Sequence, residues 1–425
     1  MDTVASLLPL IKILAAFAAM LLGIRLRIGL GASILAGAAL TGLFFGLPLG
    51  QWPGATFDAL SNEKTLFLSA IVGLIMLLSG TLAQTGQSKR LMDSLTGYLR
   101  SPKLRLVFFP ALIGLLPMPG GAVFSAPMVD EVSRDMGLDN TDKVMLNYWF
   151  RHVWELAWPL YPGIILSASL ADIPLHRLIA YTFPAIPVMF LLGWFFVLRR
   201  VKIPAQNCSS TSSERNLGHT LSMGLPLLIA ICGAVGLEMG IGLFMPGIAF
   251  EWGVLIALGA AILCAVVQNR MSTSDLGKIL FSKHLGQMLF VIVAIFIFKE
   301  FMQASGVVSQ LSRMAGGSVA LIASAVLLPF IVGLISGINV AFVGATFPLM
   351  LGLLAQLDMM DQVMPYLVLG QFAGYTGVMV SPIHICFLLT CQHFKVDLGL
   401  AWRRLAVPCL LLMAFGLGYF MLLRG

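Results

Sequence analysis

The chain has 425 residues, 59% of them hydrophobic and only 11% charged, with a mean hydropathy of +0.94. A soluble domain carries about 25% charged residues, so polar surface is too scarce here to cover a globule in water. That excludes soluble enzymes, nucleic-acid binders and disordered scaffolds, and the net charge of +7 reads instead as Lys and Arg gathered in cytoplasmic loops.

A spanning helix needs about 20 apolar residues. Runs near that length lie at 4–24, 28–47, 65–83, 178–198, 221–237, 251–267, 286–302 and 405–423. Two further segments, 143–170 and 363–391, are long enough to span but carry Pro in their middles. Two more, 104–128 and 320–350, are apolar with Gly and Pro at their centres. Interruptions at membrane depth need protein or a water-filled cavity to satisfy the freed backbone groups. Asp2 precedes the first run while Arg25 and Arg27 follow it, so a retained helix with its N-terminus outside is expected rather than a cleaved signal. The six cysteines show no CxxC spacing. Neither a disulfide framework nor a metal or cofactor site is expected, and Cys386 and Cys391 are read as packing.

The interrupted segments come in pairs. FFPALIGLLPMPGGAVFSAPM from Phe108 is similar to LLPFIVGLISGINVAFVGATFPLM from Leu327. Pro110 then matches Pro329, Gly114 matches Gly333, and Pro127 matches Pro348. Upstream, LAQTG ending at Gly86 answers MQASG ending at Gly306; downstream, Pro159 answers Pro382. The expected fold class is therefore an all-α polytopic membrane protein of two repeats, 1–204 and 220–425. A Ser-rich cytoplasmic linker, 205–219, joins them. Each repeat reads as five spanning helices, one of them broken, plus a re-entrant hairpin.

Five crossings per repeat require the second to be inverted. With the N-terminus outside, the cytoplasmic loops hold 17 Lys and Arg, among them Lys89, Arg90, Arg199, Lys283 and Arg404. The outer segments hold four: Lys64, Arg177, Arg313 and Arg424. That bias agrees with the positive-inside rule and places both termini outside a plasma (inner) membrane.

Inverted repeats with broken helices point to a secondary transporter whose site lies near the midplane. The positive end of a half-helix can hold an anion there, and freed carbonyls a cation. Pro119, Gly120 and Gly121 let the first hairpin tip reverse close to a ligand, although any such tip needs residues of this kind. Asn339 in the second tip can bond substrate or cap a half-helix. Tyr161 and His384 take equivalent places beside the two breaks, where a phenol and an imidazole can bind a carboxylate or relay a proton; a satisfied interior histidine is the alternative for His384. Ser381 is a further hydrogen-bond donor beside Pro382. Trp149, Trp154 and Trp158 are expected to pack or anchor, and Lys299 and Glu300 to snorkel.

Arg151 and Glu155 stand four apart, so on a helix they share one face. His152 would point about 100° away from them. Charges near the midplane are functional candidates by default. Arg151 is expected to support an anionic substrate and Glu155 to carry the coupled proton, against a purely structural ion pair.

LLPMPGGAVFSAPMV from Leu115 and RHVWELAWPLYPG from Arg151, set in this repeat plan, resemble the ion transporter superfamily, and most closely its member domain-of-unknown-function family 401. The resemblance implies a proton- or sodium-coupled transporter of small organic anions, related to gluconate, citrate and dicarboxylate symporters. It also implies a homodimer with an elevator motion. Sodium-coupled relatives carry Ser-Asn-Thr motifs at both tips. Here the first tip offers no hydroxyl or amide before Ser125, a further candidate for substrate binding, while the second offers Ser336, Asn339 and Thr346. Proton coupling is thus favoured over sodium. An ion antiporter or channel without organic substrate remains the alternative. An intramembrane enzyme is disfavoured, since HExxH and GxSxG are absent and HVWE at His152 lacks the second His of a zincin.

Overall fold

The computed structural model describes residues 2–96, 98–99, 101–115, 121–134, 136–201, 216–245, 247–313 and 317–424, and no strand occurs among them. The first part of the chain forms α1 (Asp2–Arg25), α2 (Leu30–Phe44), α3 (Trp52–Ser61), α4 (Glu63–Gln84), α5 (Gln87–Thr96) and α6 (Pro102–Gly114). It continues through α7 (Ala122–Ser133), α8 (Asn140–Arg151), α9 (Pro162–Ala171), α10 (Leu175–Thr182) and α11 (Ala185–Phe196). Then come α12 (Leu217–Phe244), α13 (Glu251–Asn269), α14 (Thr273–Leu280), α15 (Lys283–Ala304), α16 (Val307–Ser312) and α17 (Gly317–Ile322). The chain closes with α18 (Leu328–Ser336), α19 (Asn339–Gln356), α20 (Val363–Met379), α21 (Ile385–Phe394) and α22 (Leu398–Arg424).

Eight stretches among the described residues are long and apolar enough to cross a membrane: α1, α4, α10 with α11, α12, α13, α15, α19 and α22. The sequence predicts ten crossings, and three losses and one gain account for the difference. The run 28–47 yields only the 15-residue α2. The two Pro-bearing spans divide into α8 and α9, and α20 and α21, because a proline cannot donate into a helix interior. Conversely α19, predicted as one arm of a hairpin, has 18 residues and is long enough to cross by itself. Residues 205–215 of the predicted linker lie outside the described residues.

Helix boundaries follow local chemistry. Asn62 accepts the Lys64 N–H at 3.0 Å to start α4, and Ser282 accepts the Leu285 N–H at 3.3 Å to start α15. Both helices have 22 residues. Gly86 and Gly306 follow them, each at φ 66°, a left-handed turn that glycine takes without steric cost. Likewise α9 and α21 have 10 residues each and close on Asp172 and Lys395 in the left-handed region. At the solvated connector, Lys143 lies 2.6 Å from Asp130 and holds its carboxyl below the usual range, and Arg404 reaches both Asp139 and Asp142.

Burial divides the bundle into a centre and a rim. In the spanning window of α19, 72% of residues are buried, against 17% in α12. The rim helices expose Leu14, Leu22, Leu225, Leu410 and Leu422, an apolar surface that fits lipid rather than water. The centre is continuous: residues 144–151 of α8 and 365–379 of α20 are all buried. Backbones touch there. A Cβ on Gly114 would stand 2.1 Å from the Arg151 carbonyl oxygen, and one on Gly333 would stand 2.2 Å from that of Gly374. Glycine alone lets α6 meet α8, and α18 meet α20, at such range.

Glu238 on α12 is fully buried and serves a helix far away in sequence. It accepts from the Leu175 and His176 N–H groups that open α10, the latter at 3.1 Å, with His176 Nδ1 at 3.5 Å. A carboxylate there satisfies orphan donors and meets the positive helix end. Glu238→Ala is therefore expected to destabilise the protein by about 1–3 kcal/mol, read as a lower Tm in detergent at unchanged helix content.

Candidate functional site

The site is built where two helices break. The sequence predicts a helix running through Glu155, but α8 ends at Arg151 and residues 152–161 run as turns until Pro162 opens α9. Pro159 and Pro162 bring no N–H to the helical ladder, and the freed carbonyls find other neighbours. The Tyr375 hydroxyl donates to the His152 carbonyl, and the Arg151 carbonyl lies against Gly114. Trp154 and Trp158 donate their indole N–H groups to the Ala111 and Leu115 carbonyls at 2.8 and 3.0 Å, tying the break to α6. These turns correct the expectation for His152. Its Nε2 stands 3.7 Å from Glu155 Oε1, while Arg151 Nη1 stands 3.9 Å from the same oxygen.

The second break lies between α20 and α21, at residues 380–384. His384 opens α21 and turns inward, its Nδ1 2.7 Å from the Gly337 carbonyl oxygen and its Nε2 3.0 Å from His152 Nε2. Cys386 follows in the first turn of α21 and is buried beside both rings. Ser381 is also buried, but its hydroxyl meets no hydrogen-bond partner among the described residues and backs onto Gly337, which turns the chain at φ 64°.

One described residue from each predicted tip lies at this centre. Gly121, at the start of α7, lies so near that a Cβ on it would stand 2.4 Å from Arg151 Nη2. Asn339, at the start of α19, donates from Nδ2 to Glu155 Oε2 at 2.7 Å. The Tyr161 hydroxyl donates to the Gly114 carbonyl at 2.6 Å and meets the Arg151 guanidinium. Pro119 and Gly120 lie outside the described residues.

A cavity of about 220 Å³ opens among these groups, lined by Arg151, Glu155, Tyr161, Asn339, His384 and Cys386. The exposed His284 at the start of α15 lines it as well. Of the predicted residues, Gly121, Ser125 and Ser381 do not line it; the Ser125 hydroxyl is buried on α7, 3.4 Å from the Ala122 carbonyl. Three residues beside the site were missed. His152 was hidden by the assumption of a continuous helix, and Cys386 by its apolar surroundings. Tyr148, whose ring centroid lies 4.6 Å from that of His152 and 5.6 Å from that of His384, carried no local signal.

His152, His384 and Cys386 present three possible metal-ligating atoms within 4.8 Å of one another. Two ligands on a tetrahedral metal with bonds of 2.0–2.1 Å stand about 3.4 Å apart. The two Nε2 atoms are closer, at the length of an N–H···N hydrogen bond, and the Arg151 charge lines the same cavity. The geometry suits a shared proton better than a cation.

The chain's whole length falls within one family. Residues 3–423 match a family model described as Protein of unknown function (DUF401). No curated protein matches the chain.

Proposed function

We propose that this chain, which belongs to the DUF401 family of proteins of unknown function, is a proton-coupled secondary transporter of a small organic anion. One observation carries the reading: a guanidinium only 2% exposed, Arg151, lines a cavity at the meeting of two helix breaks. A charge inside a membrane bundle is costly unless it is paired or has work to do. Arg151 meets Glu155 at 3.9 Å and the Tyr161 hydroxyl, and the cavity it borders would seat a carboxylate beside them. Tyr161 and Asn339 supply neutral polar groups around that seat.

The architecture of this reading is two inverted repeats, 1–204 and 220–425, with 205–219 between them. Paired features support it. Tyr161 and His384 open the equal helices α9 and α21, and the contact of Gly114 with the Arg151 carbonyl recurs between Gly333 and Gly374. In this reading α6 with α7, and α18 with α19, are re-entrant arms. The broken helices carry the site across a plasma (inner) membrane by an elevator motion within a homodimer, and both termini face outside.

A thermal-shift series on the purified protein tests the binding step. A small carboxylate that raises Tm by several degrees at concentrations where chloride does not is the expected result. Stabilisation by sodium or by pH alone, with no response to any carboxylate, would favour an ion antiporter instead.

A further inference from the structure

Two buried imidazoles face each other across the two breaks, His152 at 0% exposure and His384 at 7%. Each Nδ1 sits against a backbone carbonyl oxygen, Tyr148 at 2.5 Å and Gly337 at 2.7 Å. A carbonyl oxygen only accepts, so each Nδ1 carries a hydrogen. In the neutral rings both Nε2 atoms are then bare acceptors, and they stand 3.0 Å apart. The Cys386 thiol bonds to the same two rings but has one hydrogen, which it can donate to only one of them. Between the two Nε2 atoms themselves the lone pairs repel at that range. One added proton converts the repulsion into an N–H···N hydrogen bond of ordinary length.

The groups around the pair decide what such a proton does. Glu155 Oε1 lies 3.7 Å from His152 Nε2, and Arg151 and Cys386 line the same cavity. Tyr148 from α8 packs on both rings, with Cys409 of α22 near it, and Tyr375 of α20 donates to the His152 carbonyl. Tyr161 stands beside Arg151. With phenols, thiols and imidazoles, His284 included, counted in their neutral forms, Arg151 and Glu155 cancel and the described groups of the cavity sum to zero. A proton passed from Cys386 to either imidazole leaves that sum unchanged. We propose that the facing Nε2 atoms of His152 and His384 bind one proton, and that this proton offsets the single negative charge of a monocarboxylate seated beside Arg151.

The second half of that statement rests on the transport reading; the proton site itself does not. Coupling follows from charge. The empty site is neutral, and so is the site holding one proton and one carboxylate. Either partner alone leaves a net charge in a medium of low dielectric, where it costs several kcal/mol. Only the empty and doubly loaded states then cross readily, which couples one proton to one negative charge and makes monocarboxylate movement electroneutral. Glu155 becomes the fixed counter-charge rather than the carrier, its carboxylate held by the Asn339 amide.

Nitrogen-15 NMR of the histidine-labelled protein in detergent tests the site without any substrate. Between about pH 5 and pH 8, the expected result is two protonated Nδ1 signals and one Nε2 proton correlated to both rings. That proton should disappear in His152→Gln and in His384→Gln. Two unprotonated Nε2 signals throughout the range would overturn the proposal, as would a Tm increase with zinc chloride that both variants lose. In proteoliposomes, the ratio of labelled gluconate uptake with and without an inward proton gradient should fall to one in His384→Gln. A variant ratio equal to that of the parent would overturn the proton site and leave the transport reading standing. A shared Nε2 proton in a protein that moves no acid from a panel would do the reverse.

Discussion

Arg151→Lys is expected to give a folded protein that has lost at least about 100-fold in affinity for whichever carboxylate stabilises the parent most. The charge survives, so Glu155 keeps a partner and the bundle keeps its electrostatic balance. The planar fork does not survive. The Arg151 guanidinium lies close against Gly121, meets the Tyr161 hydroxyl and still borders the cavity. An ammonium is a point charge on a flexible stem and cannot hold those directions together. Hydrogen bonds to charged groups contribute about 1.5–3 kcal/mol each, and about 3 kcal/mol is a factor near 150 in affinity. Arg151→Gln removes the charge too and leaves Glu155 buried without it, which should destabilise the fold by about 3–5 kcal/mol. Isothermal titration of the Lys variant against the parent separates the two roles. Equal affinity in both would remove Arg151 from the binding site.

Asn339→Asp is expected to be more damaging than Asn339→Ala. The Ala variant loses one amide donor to Glu155 Oε2, at a cost of about 1.5–3 kcal/mol. The Asp variant instead sets a second carboxyl where that amide stood, 2.7 Å from Glu155 in the parent, and two carboxylates at such range cannot both ionise. Its stability should therefore fall as pH rises, since protonation of one carboxyl relieves the repulsion at low pH and not at high pH. Melting curves near pH 5 and pH 8 for parent, Ala and Asp variants check the order and the sign. A pH-independent Asp variant would mean that the two side chains are not in contact.

Much of this was legible because membrane depth punishes irregular backbone. Pro159, Pro162 and Pro382 mark the breaks, and Gly121 and Asn339 mark the starts of α7 and α19, in segments otherwise apolar enough to span. What was illegible depends on how a break is accommodated. Nothing local says that α8 stops at Arg151, eight residues ahead of Pro159, because the stop is stabilised by Gly114 and by Tyr375 from distant helices. Helical geometry therefore turned His152 away from Glu155, whereas the observed turns bring it back. Cys386 sits two residues past His384 and carries no spacing motif, so only the folded break reveals it. The apolar run 221–237 stops just short of Glu238, which suggested the end of a span. In the structure α12 continues to Phe244, and that carboxylate caps α10, whose sequence lies some 60 residues earlier.

The most direct test of the account is uptake of labelled organic acids by proteoliposomes containing the purified protein, with an imposed proton gradient and the membrane potential clamped at zero. The account predicts that at least one small monocarboxylate accumulates in the lumen above its external concentration when the lumen is alkaline relative to the outside, and that collapsing the gradient abolishes this. Arg151→Lys should abolish it as well. Accumulation driven only by a sodium gradient would contradict the proton coupling. No accumulation of any acid, from protein that is folded and correctly reconstituted, would contradict the assignment of transport.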